Sequence, residues 1–242
     1  MARALSKLGH CSRTQAFELV RAGRVRVNQA IRRDPEAPIS LERDRIEVDG
    51  SAVASALKLY LAMNKPRAVV TTASDEQGRK TVYDLLDQPL PWVAPVGRLD
   101  KASEGLLLLT NDSEWAARVL APETHLDKTY HVQVGCVADE KLIAALGKGV
   151  RTFDGDSLRS KSVRILRGGV KNTWLEIVLD EGKNRHIRRM LAAFDVEVLR
   201  LVRVAIGPLR LGTLPKGASR PLTSEEKRAL DAQTSDNTRR MG

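Results

Sequence analysis

Cysteine is scarce in this chain of 242 residues: Cys11 and Cys136 are the only two. They form neither a disulfide framework nor a metal-binding spacing, which points to a reducing, cytoplasmic compartment. Long apolar runs are missing as well. No stretch approaches the ~18 residues of a membrane span, and the first seven residues (Met-Ala-Arg-Ala-Leu-Ser-Lys) are too charged for a secretory signal. Four histidines, His10, His125, His131 and His186, fall in no H-x-E or H-E-x-x-H pattern, so a zinc deaminase or protease is not expected. There is no P-loop and no G-x-G-x-x-G after a strand; Gly147-x-Gly149 lacks its third glycine. No dinucleotide, nucleotide or metal cofactor is therefore expected.

What the chain has in excess is positive charge. Forty Lys and Arg against thirty Asp and Glu give a net charge of +10. Such a balance fits a polyanionic partner, nucleic acid above all, or a merely solvated basic surface. The distribution favours the former. Residues 1–33 carry eight basic groups against Glu18, whereas residues 34–50 carry six acids against Arg43 and Arg45.

The basic N-terminal segment reads as a small module over residues 1–55. Ser12 and Gln15 make a capping box for a helix over about 13–22, with Ala16, Phe17 and Val20 on one face and Gly23 as the stop. Arg24-Val25-Arg26-Val27-Asn28 alternates as a strand, and Arg45–Gly50 reads as a second strand ending in an Asp-Gly turn. Lys7, Arg13, Arg21, Arg24 and Arg26 lie close enough in sequence to share a patch. The joint falls within 51–57, and a larger domain occupies 58–222. There, strands are expected at about 59–63, 105–110, 129–134, 173–179 and 198–204. Helices are expected over about 112–120, capped by Asn111 and Glu114, and over 139–146. This mixture without strict βαβ alternation predicts an α+β fold, its sheet mixed and largely antiparallel with flanking helices. Residues 223–242 open with a capping box, Thr223-x-x-Glu226, as a short helix running into a disordered tail.

Three segments carry chemistry. Gly97-Arg98-Leu99-Asp100-Lys101-Ala102-Ser103-Glu104 is a polar stretch directly before a buried strand; spacing alone leaves Asp100 as turn-former, salt-bridge partner or reactive group. In Lys128-Thr129-Tyr130-His131-Val132-Gln133-Val134, alternation turns Tyr130 inward with the valines, either into the core or into a cleft where it could stack on a base. In Glu181–Leu191, Asn184 can cap a helix with Ile187, Met190, Leu191 and Phe194 as its apolar stripe. Arg185, Arg188 and Arg189 then crowd its first turns against the helix dipole, at about 0.3–1 kcal/mol each.

Together these segments resemble the RsuA/RluB/RluF-type RNA pseudouridine synthase family. Gly97–Asp100 with the following Gly-Leu-Leu-Leu-Leu-Thr-Asn-Asp resembles its catalytic signature. Met63–Pro66, Lys128–Tyr130, Glu181–Met190 and Leu201–Gly207 resemble its other motifs, in the family's order. Leu5–Arg13 with Gly23–Asn28 is similar to the RNA-binding module named after ribosomal protein S-four. The resemblance spans about residues 3–222. Ser103 stands where threonine is usual and His186 where glutamine is commonest.

The resemblance implies that Asp100 is the catalytic aspartate, Tyr130 the aromatic against the target uracil and Arg188 the basic partner of the aspartate. It implies that Arg98 holds the RNA or the flipped nucleotide and that Arg185 contacts the backbone. The implied reaction breaks the bond between the ribose anomeric carbon and uracil N1 and rejoins the base through C5, with no cofactor. A carboxylate could serve as base, nucleophile or stabiliser of a cationic sugar. The implied partner is ribosomal RNA, bound by a monomer. A non-catalytic RNA-binding or ribosome-assembly factor is the alternative; a methyltransferase would need the glycine-rich cofactor loop that the chain lacks.

Overall fold

A computed structural model describes residues 1–73, 75–86 and 90–239. At the N-terminus, α1 (Ala2–Lys7) and α2 (Arg13–Arg21) pack on four strands: β1 (Val25–Val27), β2 (Ala30–Arg32), β3 (Ile46–Val48) and β4 (Ser51–Ala52). These form an antiparallel sheet in the order β2-β1-β3-β4. The expected helix is present with both capping-box hydrogen bonds, and Gly23 follows the cap in the left-handed region at φ +73°. The valines of β1 are buried and Arg26 between them is exposed. They meet Leu5, Ala16, Val20, Ile46 and Val48 in one small core.

Two elements here have no strong sequence signal. The helix α1 lacks a side-chain cap, and burial of Ala2 and Leu5 holds it in place. The β1–β2 turn uses Asn28 and Gln29, both at positive φ. Asn28 closes that turn from outside, donating to Asp44 (2.8 Å) and accepting from the Arg45 amide (3.0 Å).

The remaining chain is built on a nine-stranded sheet. In chain order come β5 (Tyr60–Lys65), β6 (Ala94–Val96), β7 (Glu104–Thr110), α3 (Ser113–Leu120), β8 (Lys128–Val134) and α4 (Glu140–Lys148). A small hairpin, β9 (Val150–Arg151) and β10 (Ser157–Leu158), leads to β11 (Ser162–Gly168) and β12 (Thr173–Leu179). Then follow α5 (His186–Ala192), β13 (Val198–Ile206), β14 (Leu209–Arg210), β15 (Ser219–Pro221) and α6 (Ser224–Arg239). The sheet runs β11-β12-β8-β13-β7-β5-β15, with β14 on β13 and β6 on β7. Every pairing is antiparallel except β13 with β7. This is the expected α+β class.

Two apolar clusters flank the parallel seam. One joins β8 and β12 to α4 and α5 through Val132, Leu175, Ile177, Ile187, Met190 and Leu191. The other covers β5 and β7 with α3 and α6 around Leu106, Leu108, Trp115 and Leu230. At the seam, Gly105 has φ +102°, and a Cβ there would stand 2.3 Å from the Arg203 carbonyl oxygen. Only glycine lets β7 approach β13 this closely.

Three local expectations need correction. The cap of α3 is Asp112, whose carboxylate accepts from the Trp115 amide (3.1 Å). Asn111 is instead a buried cross-link, accepting from the Leu59 amide and donating to the Leu57 carbonyl (2.8 Å each). Glu114 does not cap either; it receives Lys7 at 2.7 Å from the N-terminal module. The last helix continues to Arg239, beyond the short helix its composition suggests, with Leu230 and Thr234 buried along it. Its Thr223–Glu226 capping box is intact, but residues 234–239, where a disordered tail is expected, continue the helix, and the last residues of that tail lie outside the described ones.

Candidate active site

A cavity of about 330 Å³ opens beside the parallel seam. Arg98, Asp100, Tyr130 and Arg185 all line it, although they come from three distant segments of the chain. Tyr130 reaches it from β8, between Ile177 of β12 and Arg203 of β13, with its ring against the β8–β12 cluster and a further one around Leu61, Met63, Leu107 and Leu109. Buried Leu99 anchors the loop between Arg98 and Asp100, which are both exposed. The alternation is what aims the charged pair outward.

The backbone carrying Asp100 is fixed by a residue the sequence reading did not assign to the site. Lys65, at the end of β5, is fully buried. Its ammonium donates to the carbonyls of Ser103 (2.8 Å), Pro66 (3.0 Å) and Asp100 (3.2 Å). Burial pulls its pKa down to about 8, against the opposing pull of Asp100 and Glu104. The Ser103 amide closes the same turn onto the Asp100 carbonyl at 2.9 Å. Next in sequence, buried Glu104 receives both Arg200 (3.0 and 3.1 Å) and Lys216 (2.7 Å). Burial alone would raise its carboxyl, but the two cations outweigh it and hold it below the usual range. On the other side, Thr71 donates its hydroxyl to the Leu99 carbonyl at 2.8 Å. The Asp100 loop is thus pinned on both flanks before any substrate arrives.

The cavity wall holds further cations. Lys128 and Arg203 line it together, and burial with the neighbouring Arg203 charge lowers the Lys128 pKa. Arg203 donates through Nε to the Leu106 carbonyl at 2.7 Å. Both lie in segments matched to the family, yet alternation alone gives no reason to choose them over their neighbours. His186 lines the cavity as a buried ring. Burial holds it below its ordinary pKa, only partly offset by the Arg159 backbone and Glu181.

Arg188 stands apart from the other candidates. Its guanidinium donates to the carbonyls of Ala102 (3.2 Å) and Val198 (3.3 Å), not to the Asp100 carboxylate. Burial lowers its pKa, and Asp100 counters this through space. Arg188 therefore works as a clamp behind the loop as well as a nearby charge. The cap of α5 is Arg185, in the left-handed region at φ +47°, and not Asn184. Arg189, whose helical position points toward solvent or phosphate, instead pairs with Asp154 and Asp156 at 2.6 Å each.

Of the cations expected to form an N-terminal patch, two are engaged elsewhere. Lys7 faces Glu114, and Arg24 makes a two-pronged pair with Asp49. Arg13, Arg21 and Arg26 remain exposed, Arg13 within 3.9 Å of Glu36 and Arg21 over the Phe17 ring. The module is seated on the larger domain by the Ala56 amide on the Leu8 carbonyl (3.0 Å) and the Trp92 amide on the Gly9 carbonyl (3.1 Å).

A carboxylate on a pinned loop and an aromatic ring, both lining one cation-walled cavity in a chain with a basic N-terminal module, fit an enzyme that acts on a base of RNA. Comparison with known proteins makes that class specific. The family model for RNA pseudouridylate synthase matches residues 59–193, and that for the S4 domain matches residues 2–46. The chain is 40% identical over 223 residues to a protein of Aquifex aeolicus named as an uncharacterized RNA pseudouridine synthase, covering 92% of this chain and 89% of that one. It is 34% identical over 231 residues to ribosomal large subunit pseudouridine synthase B of Bacillus subtilis, covering 95% and 94%. A solved pseudouridylate synthase superposes with TM-score 0.66 at 29% identity, covering 95% of this chain and 98% of that one. The chain belongs to the RNA pseudouridine synthase family: it is an isomerase that binds RNA and converts uridine to pseudouridine.

Proposed function

We propose that this enzyme modifies a uridine of large-subunit ribosomal RNA, with Asp100 as its catalytic carboxylate. The convergence of Arg98, Asp100 and Tyr130 on one cavity carries this reading. The B. subtilis relative, matched almost end to end, supports the choice of RNA. The N1–C1′ bond breaks, the base turns, C5 bonds to C1′, and the C5 proton leaves to solvent while N1 gains one. No atom is supplied from outside, so the protein's share is to expose the anomeric carbon and stabilise charge there. An ionised Asp100 does so as base, nucleophile or counter-ion. Tyr130 takes the face of the flipped uracil, an interaction of about 1–3 kcal/mol. This offsets much of the few kcal/mol needed to unstack it. Arg98 and Arg185 hold the phosphates at the mouth, and Arg188 steadies the Asp100 loop.

Residues 1–55 act as the RNA-docking module and 58–222 as the catalytic domain, with α6 packed against the latter through Leu230. No helix among the described residues is long and apolar enough to cross a membrane, and two unpaired cysteines suit the cytoplasm. Mapping pseudouridines in ribosomal RNA from a strain lacking the gene tests the reading. One large-subunit position should revert to uridine and be restored by wild-type protein but not by Asp100→Asn. An unchanged map would refute it.

A further inference from the structure

Phe153 is the tip of the β9–β10 hairpin and is 88% exposed, in a chain with only 4% aromatic residues. An isolated surface aliphatic needs no explanation, but this ring is held out on a braced support. Arg189 grips Asp154 and Asp156, which both follow Phe153 in the turn, and Thr152 closes the turn through Asp154 and the Asp156 carbonyl. The arginine also offsets the charge of one of the two acids, which lessens their repulsion of phosphate. The brace is anchored at the active cavity. Arg189 belongs to α5, whose first residues line that cavity, and Lys183 on the same rim donates to the Ser157 carbonyl of β10 at 3.2 Å.

We propose that Phe153 is a stacking wedge for an RNA base flanking the flipped uridine, and that Arg189 is the positioning residue that aims it. This rests on the RNA-modifying activity. Every base offers a π-face, and a flipped nucleotide leaves its neighbours with one face unstacked. A rigid exposed ring on a basic rim meets that need, whereas a bare cationic surface would hold only the backbone.

The test uses full-length enzyme and a transcript of large-subunit ribosomal RNA. Phe153→Ala should raise the RNA concentration for half-maximal single-turnover rate about tenfold, while the saturating rate falls far less. Phe153→Trp should restore binding and Phe153→Leu should not, since leucine has bulk without a π-face. Val170→Ala, at an equally exposed apolar residue on the β11–β12 turn, is the control and should match wild type. Arg189→Ala should reproduce the binding defect of Phe153→Ala, and combining the two should add little. With Phe153 replaced by a photoreactive benzoylphenylalanine, crosslinks should map within a few nucleotides of the pseudouridine. Wild-type binding by Phe153→Ala, full rescue by leucine, or crosslinks only at remote sites would each overturn the proposal. A wild-type enzyme that modifies no uridine in that transcript would count instead against the choice of RNA; filter binding of wild type and Phe153→Ala to the same RNA would then decide the role of Phe153, with equal affinities overturning it.

Discussion

The buried ammonium of Lys65 shows how one residue links sequence to rate. Its three protons match the Asp100 and Ser103 carbonyls of the turn that carries Asp100 and the carbonyl of Pro66, and burial brings its pKa to about 8. Above that pH the amine keeps only two donors for three acceptors, so the turn loosens. The unfolded chain keeps the Lys65 proton to about 10.5. Between those values the unfolded state binds more protons than the folded one, so this group makes stability rise with pH. Activity should therefore decline on the alkaline side near pH 8 without a matching fall in melting temperature. A pH–rate profile beside a pH–melting series checks this, and parallel losses of rate and stability would refute it. Lys65→Met removes all three donors and should cost at least tenfold in saturating rate with RNA affinity kept. Arg188→Ala should likewise lower the saturating rate, because it frees the Ala102 and Val198 carbonyls and removes a positive charge close to Asp100. Arg188→Lys keeps the charge but cannot span both carbonyls, so single-turnover rates should place it between alanine and wild type.

Helices and strands with self-contained signals were legible in the sequence. The Ser12–Gln15 and Thr223–Glu226 boxes, the Gly23 stop and the alternation of β1 all state their structure within a few residues. Elements fixed by distant contacts were not. Neither α1 nor β2 has a local pattern, and Asn111 lost its expected cap to the adjacent Asp112 because it is tied to Leu57 and Leu59 across the sheet. Periodicity placed Arg189 toward solvent, and only the fold brings the 154–156 turn under it. The site follows the same rule. Family motifs pointed to Asp100, Tyr130, Arg98 and Arg185, whereas Lys65 and Arg203 gain their meaning from the parallel seam. That seam yields a sharp prediction. Gly105→Ala forces a Cβ against the Arg203 backbone at a φ that alanine avoids. It should cost about 3 kcal/mol or more in stability, in the upper range for single substitutions. Chemical denaturation measures this, and a loss under 1 kcal/mol would mean the two strands part more easily than their packing indicates.

Across the whole molecule, charge is divided between docking and architecture. Lys7 and Arg24 are closely paired with Glu114 and Asp49, whereas Arg13 stands 3.9 Å from Glu36 and Arg21 and Arg26 carry no ion pair among the described residues, and we propose that these three meet phosphate. Changing those three to glutamine should flatten the dependence of log affinity on log salt by about 0.7–0.9 per lost contact. Glutamine at Arg24 alone should change the slope much less. Filter binding across a salt series distinguishes the two, and equal slopes in all variants would place the docking surface elsewhere. The central claim, that the pinned Asp100 turn performs the isomerisation, is tested most directly by tritium release from large-subunit ribosomal RNA labelled at uridine C5. Wild-type enzyme should release one equivalent per modified uridine, since C5 must lose its hydrogen to take the ribose. Asp100→Asn, isosteric but unable to act as base or nucleophile, should bind the RNA normally and release none. Release by Asp100→Asn at a rate near wild type would contradict the account.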